Sequence, residues 1–242
     1  MKFVFVTVCV FGVYNLHAQN STPKDVSAYE AMKRWSVGDQ TNGKQMPLIP
    51  MAPGDRVNEV YLDLAWKKAS IAVYSTEKLL DGWPVRYDLR ANAIEINLNN
   101  ELKVLDVQHI KSMLWVDSAT NVPHTFVNGK EYRLDGTPLT SLIEVLSEGK
   151  LKLYKQYTYW IKKPDYNPAL SVGSMDERIY KKSTFFYSVD KDLHRVPTKK
   201  KSLPAVFGDQ ATQVASFVKE RKLDLGSEAD LVTIFDYYNG LK

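Results

Sequence analysis

Ile94-Glu95-Ile96-Asn97-Leu98 alternates apolar and polar residues without a break, and that period of two decides the fold class. Successive side chains of a strand point to opposite faces, so the run predicts a strand with one buried face and one wet face. Asn99-Asn100 turns the chain into Leu102-Lys103-Val104-Leu105, and Arg90-Ala91-Asn92 turns it before Ala93. Outward from this centre the same signal runs from Val57 to about Val196. Phe126-Val127-Asn128-Gly129-Lys130-Glu131-Tyr132 sets Asn-Gly, whose residues tolerate positive φ, between two short extended runs and predicts a tight hairpin. Leu142 to Leu146 and Leu151 to Ile161, joined by Ser147-Glu148-Gly149-Lys150, predict a longer hairpin, and Ile179 to Val189 with Leu193 to Val196 predict another. Short connections make sequence neighbours pair antiparallel, as a meander.

After Lys199-Lys200-Lys201 the period becomes helical. Asp209 is placed to cap a helix carrying Val214, Phe217 and Val218 on one face. Ser227 and Asp230 resemble a capping box ahead of Leu231, Ile234, Phe235 and Tyr238, and Asn239-Gly240 closes that second helix. Neither short helix buries its apolar stripe alone, so the two are expected to dock as an αα-hairpin. The expected fold class is mainly β (α+β): an antiparallel β-meander sheet or partly closed barrel with a C-terminal αα-hairpin. Its segments are a signal peptide over 1–18, a Pro/Gly-rich leader over 19–56, a β domain over 57–201 and a helical cap over 202–242.

The N-terminal segment gives the expected location. Lys2, the apolar run Phe3 to Val13 and Leu16-His17-Ala18 have the order of a secretory signal cleaved after Ala18, and the apolar run is too short to span a bilayer. Cleavage removes Lys2 and no acidic residue, so 31 basic against 28 acidic residues leave +3. That imbalance falls short of the dense basic stripe of a nucleic-acid binder. Cys9, the only cysteine, lies inside the signal, so the exported chain forms no disulfide and offers no thiolate. In the leader, Ala28, Ala31, Met32 and Trp35 fall on one face of a possible short helix, with Trp35 packing on the body.

Tyr61-Leu62-Asp63, Pro84-Val85-Arg86-Tyr87-Asp88-Leu89, Glu144 to Leu151, Lys162-Lys163-Pro164-Asp165-Tyr166-Asn167 and Phe235-Asp236-Tyr237-Tyr238-Asn239 together resemble a group of uncharacterised secreted β-rich proteins of Bacteroidota. The resemblance spans most of the mature chain and carries no known chemistry. It implies a host with two membranes, and so a periplasmic or outer-envelope setting.

Known chemistries find little footing. Gly38-Asp39-Gln40-Thr41-Asn42-Gly43-Lys44-Gln45 nearly spells a phosphate-binding loop, but Gln45 replaces the magnesium-binding hydroxyl and Met46-Pro47 does not open a helix. His109, His124 and His194 show no ligand spacing, so they are expected as scattered surface or half-buried residues without a metal or cofactor. No Gly-x-Ser-x-Gly elbow exists, and carboxylate pairs of a glycosidase are not readable from strand spacing. Asn20-Ser21-Thr22 and Asp117-Ser118-Ala119 match glycosylation triplets that arise by chance.

Four residues stand as surface candidates. Asp165 and Tyr166 lie in the loop Pro164 to Pro168, and Tyr154 and Trp160 share one strand face with Lys152 and Lys162. Tyr157 and Tyr159 fall on the opposite face with Leu151, Leu153 and Ile161, and read as core. The expected function is a non-catalytic module of the cell envelope, structural or interacting, with an unidentified envelope partner and no transmembrane segment after cleavage. A carrier of a lipid or other apolar ligand between sheet and helices comes second, and a hydrolase third.

Overall fold

Twelve strands pair into one sheet in the computed structural model, which describes residues 60–241 apart from 77, 78, 100, 118, 168 and 177. The signal, the leader with its short helix and the near phosphate-binding loop lie outside the described residues. In chain order the strands are β1 Lys67–Val73, β2 Leu79–Asp88, β3 Ala93–Leu98, β4 Glu101–Asp106, β5 Ile110–Val116, β6 Pro123–Asn128, β7 Arg133–Leu134, β8 Thr137–Pro138, β9 Leu142–Ser147, β10 Lys152–Lys162, β11 Arg178–Val189 and β12 Asp192–Arg195. Their order across the sheet is β4-β3-β2-β1-β5-β6-β9-β10-β11-β12-β7-β8.

The protein is mainly β with a C-terminal helical pair, as its alternation and helical periods require. The meander holds for β1 to β4 and for β9 to β12. It fails at two places. β5 returns to pair with β1, and β7–β8 leaves β6 for the far edge, where β7 runs parallel to β12.

That detour curves the sheet. In a flat sheet β8 and β9 would lie five strand spacings apart, roughly 24 Å. Only Leu139 to Ser141 join them, a reach of roughly 14 Å when fully extended. The far half therefore coils on itself without closing, around Ile143, Tyr154, Phe186 and Leu193, with Tyr132, Leu134 and Leu139 packed against them. The near half encloses a larger core that includes Ile71, Val85, Tyr87, Ile94, Ile96, Met113 and Phe126.

The centre of the sequence reading needs a correction. β3 has no wet face: Glu95 is only 1% exposed. Its carboxylate accepts from Tyr61 Oη at 2.9 Å and from Arg86 Nη2 at 2.7 Å. The Arg86 guanidinium lies between the rings of Tyr61, at 4.2 Å, and Trp66, at 4.1 Å. Burying a charge is tolerated here because it is paired and hydrogen-bonded, and alternation alone does not reveal a partner 9 residues away. Lys67 is similarly buried, reaching Asp117 at 2.7 Å and Asp63 at 3.0 Å. Asp117, of the glycosylation-like triplet, is held well below the usual carboxylate range by Lys67 and then by the amides of Ala119 and Thr120.

Asn128-Gly129 is not a tight hairpin turn. Asn128 is extended at φ −73° and ψ 123°, and caps a single 3-10 turn, Gly129–Glu131, by accepting from the Lys130 amide. Its Nδ2 donates to the carbonyls of Val107, at 2.8 Å, and Ile110, at 2.6 Å. Gly129 is demanded by space, since a Cβ there would stand 2.5 Å from the Ser141 carbonyl oxygen and 2.7 Å from Leu139 Cβ.

The helices are α1 Ala211–Glu220 and α2 Glu228–Gly240, preceded by the single turn Pro204–Phe207. Ser227 caps α2 as expected, accepting from the Asp230 amide at 3.4 Å. Asp209 does not cap α1, whose first residue follows Gln210 with no side-chain cap. Leu231, Ile234, Phe235 and Tyr238 are all buried with Val214 and Val218, and they pack on Leu151, Leu153 and Tyr187 of the sheet. Phe217 is only partly buried and stacks on Tyr237 at 3.9 Å.

Candidate functional site

β10 and β11 are the longest strands, paired over eleven positions from Lys152↔Ser188 to Lys162↔Arg178. β9 covers β10 only between Leu153 and Gln156, and β12 covers β11 only between Phe186 and Val189. Beyond those limits the pair continues as a two-stranded ribbon. Directly paired residues share a face, so Tyr157, Tyr159 and Ile161 lie together on one side with Ser183, Lys181 and Ile179. That side is held to the body: Tyr157 and Tyr159 pack on the near-half core, and Lys181 donates to the Tyr61 carbonyl at 2.9 Å.

The other side is open. Trp160 and Tyr180 are paired across the strands and stacked, with ring centroids 4.5 Å apart and planes 13° from parallel. Trp160 is 50% exposed and Tyr180 38%. The rows on either side of them are Thr158↔Lys182 and Lys162↔Arg178, which brackets the stacked rings with cations. Beyond lies the loop with exposed Tyr166, Leu170, Val172 and Met175, the last 73% exposed.

The loop is built, with its backbone fixed by its own side chains. The Asp165 carboxylate accepts from the Ser174 amide at 2.8 Å and pairs with Lys162 at 2.7 Å, and Asn167 bridges to Val172. The Lys162 ammonium, followed by the Ser174 amide, holds the Asp165 carboxyl below its ordinary range. Asp165 is thus engaged in shaping the loop, whereas Tyr166 remains open to solvent. Tyr154 is corrected from surface candidate to core: it is 1% exposed, tilted on Tyr132 at 5.0 Å, with its hydroxyl donating to the Tyr132 hydroxyl at 3.0 Å. Trp160, three steps of the same alternation further out, has passed beyond the coiled half of the sheet and is open. Face assignment from alternation was right for both, and only the sheet's curvature separates them.

Two further features were not readable. His124 Nδ1 lies 2.5 Å from Glu144 Oε1, and the Tyr157 hydroxyl donates to Glu144 Oε2 at 2.6 Å, so three residues far apart in sequence meet on neighbouring strands. The Glu144 side chain is 3% exposed, which removes it from contact with any substrate. Burial, then the Glu144 charge and hydrogen bond, push the Tyr157 phenol far above the usual tyrosine range. Beside Tyr157 opens a cleft of about 260 Å³ lined by Tyr87, Asn92, Ser141, Gln156, Tyr157 and Tyr159 among others. Register, set by bulges in β9–β10 and β1–β5, decides both features, and sequence spacing does not encode it.

Among the described residues no group of three or more His, Cys, Asp or Glu side chains gathers as a metal site. The three histidines are separate: His194 stacks on Tyr187 at 5.2 Å, and His109 ends the turn before β5. No helix among the described residues is long and apolar enough to cross a membrane. No protein-family model, curated protein or solved structure matches this chain.

Proposed function

We propose that this chain is an exported cell-envelope protein that acts without catalysis, as an interaction module whose working surface is the open face and tip of the β10–β11 ribbon. Its partner is an anionic lipid surface of the envelope. The carrying observation is the order of side chains along the ribbon. The stacked Trp160–Tyr180 pair sits between rows containing Lys182 on one side and Lys162 and Arg178 on the other, and leads out to exposed Leu170, Val172 and Met175. Apolar side chains at a projecting tip, with cations and amphipathic aromatics following along the ribbon, are the kinds of group that an anionic membrane interface engages. The signal-like N-terminus and the resemblance to secreted proteins of Bacteroidota support the envelope setting.

A carrier for an apolar ligand between sheet and helices is less well supported. The seam bordered by Leu203, Phe207, Leu225, Leu231, Ile234 and Phe235 has no space that a water molecule could enter, and the hollow of about 380 Å³ that does open between sheet and helices is rimmed by Lys150, Asp190, Asp209 and Gln210, a lining that disfavours a purely apolar ligand.

Cosedimentation with vesicles tests the proposal. The protein is expected to sediment with phosphatidylglycerol vesicles and to stay in solution with phosphatidylcholine vesicles at the same ionic strength. Leu170→Asp with Met175→Asp, both at exposed positions, is expected to abolish sedimentation without moving the urea midpoint. Unchanged binding by that variant, or no binding by the natural chain, would remove the ribbon from this role.

A further inference from the structure

We propose that the cleft beside Tyr157 is a binding site for a neutral saccharide ring, one that does not include the stacked Trp160–Tyr180 pair. Its lining combines tyrosine rings with hydroxyl and carboxamide groups, and no Asp, Glu, Lys, Arg or His side chain borders it among the described residues. A charged ligand would meet no ionic side chain in the lining itself, Lys155 standing outside it on the Tyr157 ring at 4.4 Å, and a purely apolar one would leave the remaining donor and acceptor capacity of the lining unused. A sugar ring meets both conditions, because its C–H face packs on aromatic rings while its hydroxyls serve as donors and acceptors around the edge. The volume of about 260 Å³ suits a single ring and not a folded chain.

The polar lining is already oriented. Tyr87 Oη donates to Asn92 Oδ1 at 2.9 Å, and Asn92 Nδ2 donates to the Thr140 carbonyl at 2.7 Å. Gln156 Nε2 donates to Ser141 Oγ at 2.9 Å, which fixes the amide. From below, Glu144 holds the Tyr157 ring through its hydroxyl. These contacts set the rotamers before binding, which lowers the entropy cost of capturing a small ligand. A small open cleft still predicts weak affinity, in the millimolar range.

Saturation-transfer NMR on the natural chain tests the assignment with galactose, mannose, glucose and N-acetylglucosamine as neutral probes, glucuronate as the charged one and N-acetylglycinamide as an amide probe. At least one neutral sugar is expected to receive saturation, with glucuronate weaker by roughly tenfold or more in Kd, as an unpaired carboxylate requires. Tyr159→Ala is expected to remove the signal, and Tyr159→Phe, which keeps the ring, to retain it. Trp160→Ala is expected to leave sugar binding intact, so failure here is distinct from failure of the lipid proposal. Saturation of no neutral sugar, equal binding of glucuronate, a stronger signal from the amide probe, or an unaffected Tyr159→Ala variant would each overturn the assignment.

Discussion

The Tyr157 hydroxyl donates to Glu144 at 2.6 Å, so one hydrogen bond joins the wall of the cleft to a carboxylate sealed between β9 and β10. Glu144 also holds His124 on β6. Three adjacent strands are thereby pinned in one register by a single side chain.

Glu144→Ala leaves the Tyr157 hydroxyl and the His124 ring without their buried acceptor, and is expected to destabilise the fold by about 1 to 3 kcal/mol, the cost of a buried hydrogen-bonding group left unpaired. Glu144→Gln keeps the shape and one acceptor, and should cost clearly less. Urea melts of the two variants check the order. A Glu144→Gln variant as stable as the natural chain would mean that the carboxylate is only filling space.

Alkaline titration reads the buried phenols directly. Tyr87, Tyr154 and Tyr157 are all shifted upward, in each case chiefly by burial. For an acid whose folded pKa is raised, the stabilisation is fully present below the unfolded value of 10.0 and is lost as pH climbs toward the folded one. Tyrosinate absorbance is therefore expected in two phases: exposed tyrosines first, then a cooperative step that coincides with loss of the far-UV circular dichroism signal. A single smooth phase with the fold intact would contradict the burial of these rings.

Gly129→Val is expected to destabilise by roughly 1 to 3 kcal/mol through overpacking, because the first added carbon already meets the Ser141 carbonyl and Leu139. Gly129→Ala should carry most of the same penalty, because the clash begins at the first added carbon. A neutral alanine variant in chemical melts would contradict the close approach.

These residues show how far a sequence goes. Leu142 to Ile161 and Ile179 to Val196 were legible as hairpins because alternation and turn residues are local signals, and the α2 stripe was legible because the spacing of Leu231, Ile234, Phe235 and Tyr238 is itself the geometry. Asn128-Gly129 misled because the same dipeptide that favours a primed turn also suits a capped 3-10 turn, and β6 pairs with β5 and β9 instead of with β7, the strand that follows it. Glu95, Glu144 and the tyrosine cleft depend on which strands become neighbours and in what register, information spread over the whole chain. Of the surface candidates, Trp160 and Tyr166 are open as read, Asp165 shapes its loop, and Tyr154 was drawn inside by curvature that no local pattern records.

Asn239 ties the helical pair to the sheet, beside the Ser147–Asp236 hydrogen bond and the Lys155–Glu228 ion pair. Asn239 Oδ1 accepts from the Leu151 amide at 2.9 Å, and its Nδ2 donates to the carbonyls of Leu151, at 2.9 Å, and Glu148, at 3.2 Å. At Gly149, φ +149°, a Cβ would stand 2.5 Å from Asn239 Cγ. Asn239→Ala is expected to cost about 1 to 3 kcal/mol by leaving those backbone groups unpaired. Deletion after Ser202 uncovers Leu151, Leu153 and Tyr187 and is expected to erase amide-exchange protection in β9 and β10. Full protection in the truncated chain would instead make the helices an independent module.

The short β7–β8 hairpin at the far edge sets a timetable for folding. Arg133 and Leu134 take Asp192 and Leu193 as their ladder partners, and nearly sixty residues separate the two sides of that pairing. A chain that emerges from its N-terminus displays β7 long before β12 exists, so the hairpin must wait with unpaired edges while β9, β10 and β11 assemble. Pairing across such a separation raises the contact order of the far half, so the parallel seam is expected to be the last join of the sheet, with the near half complete while the far half still lies open.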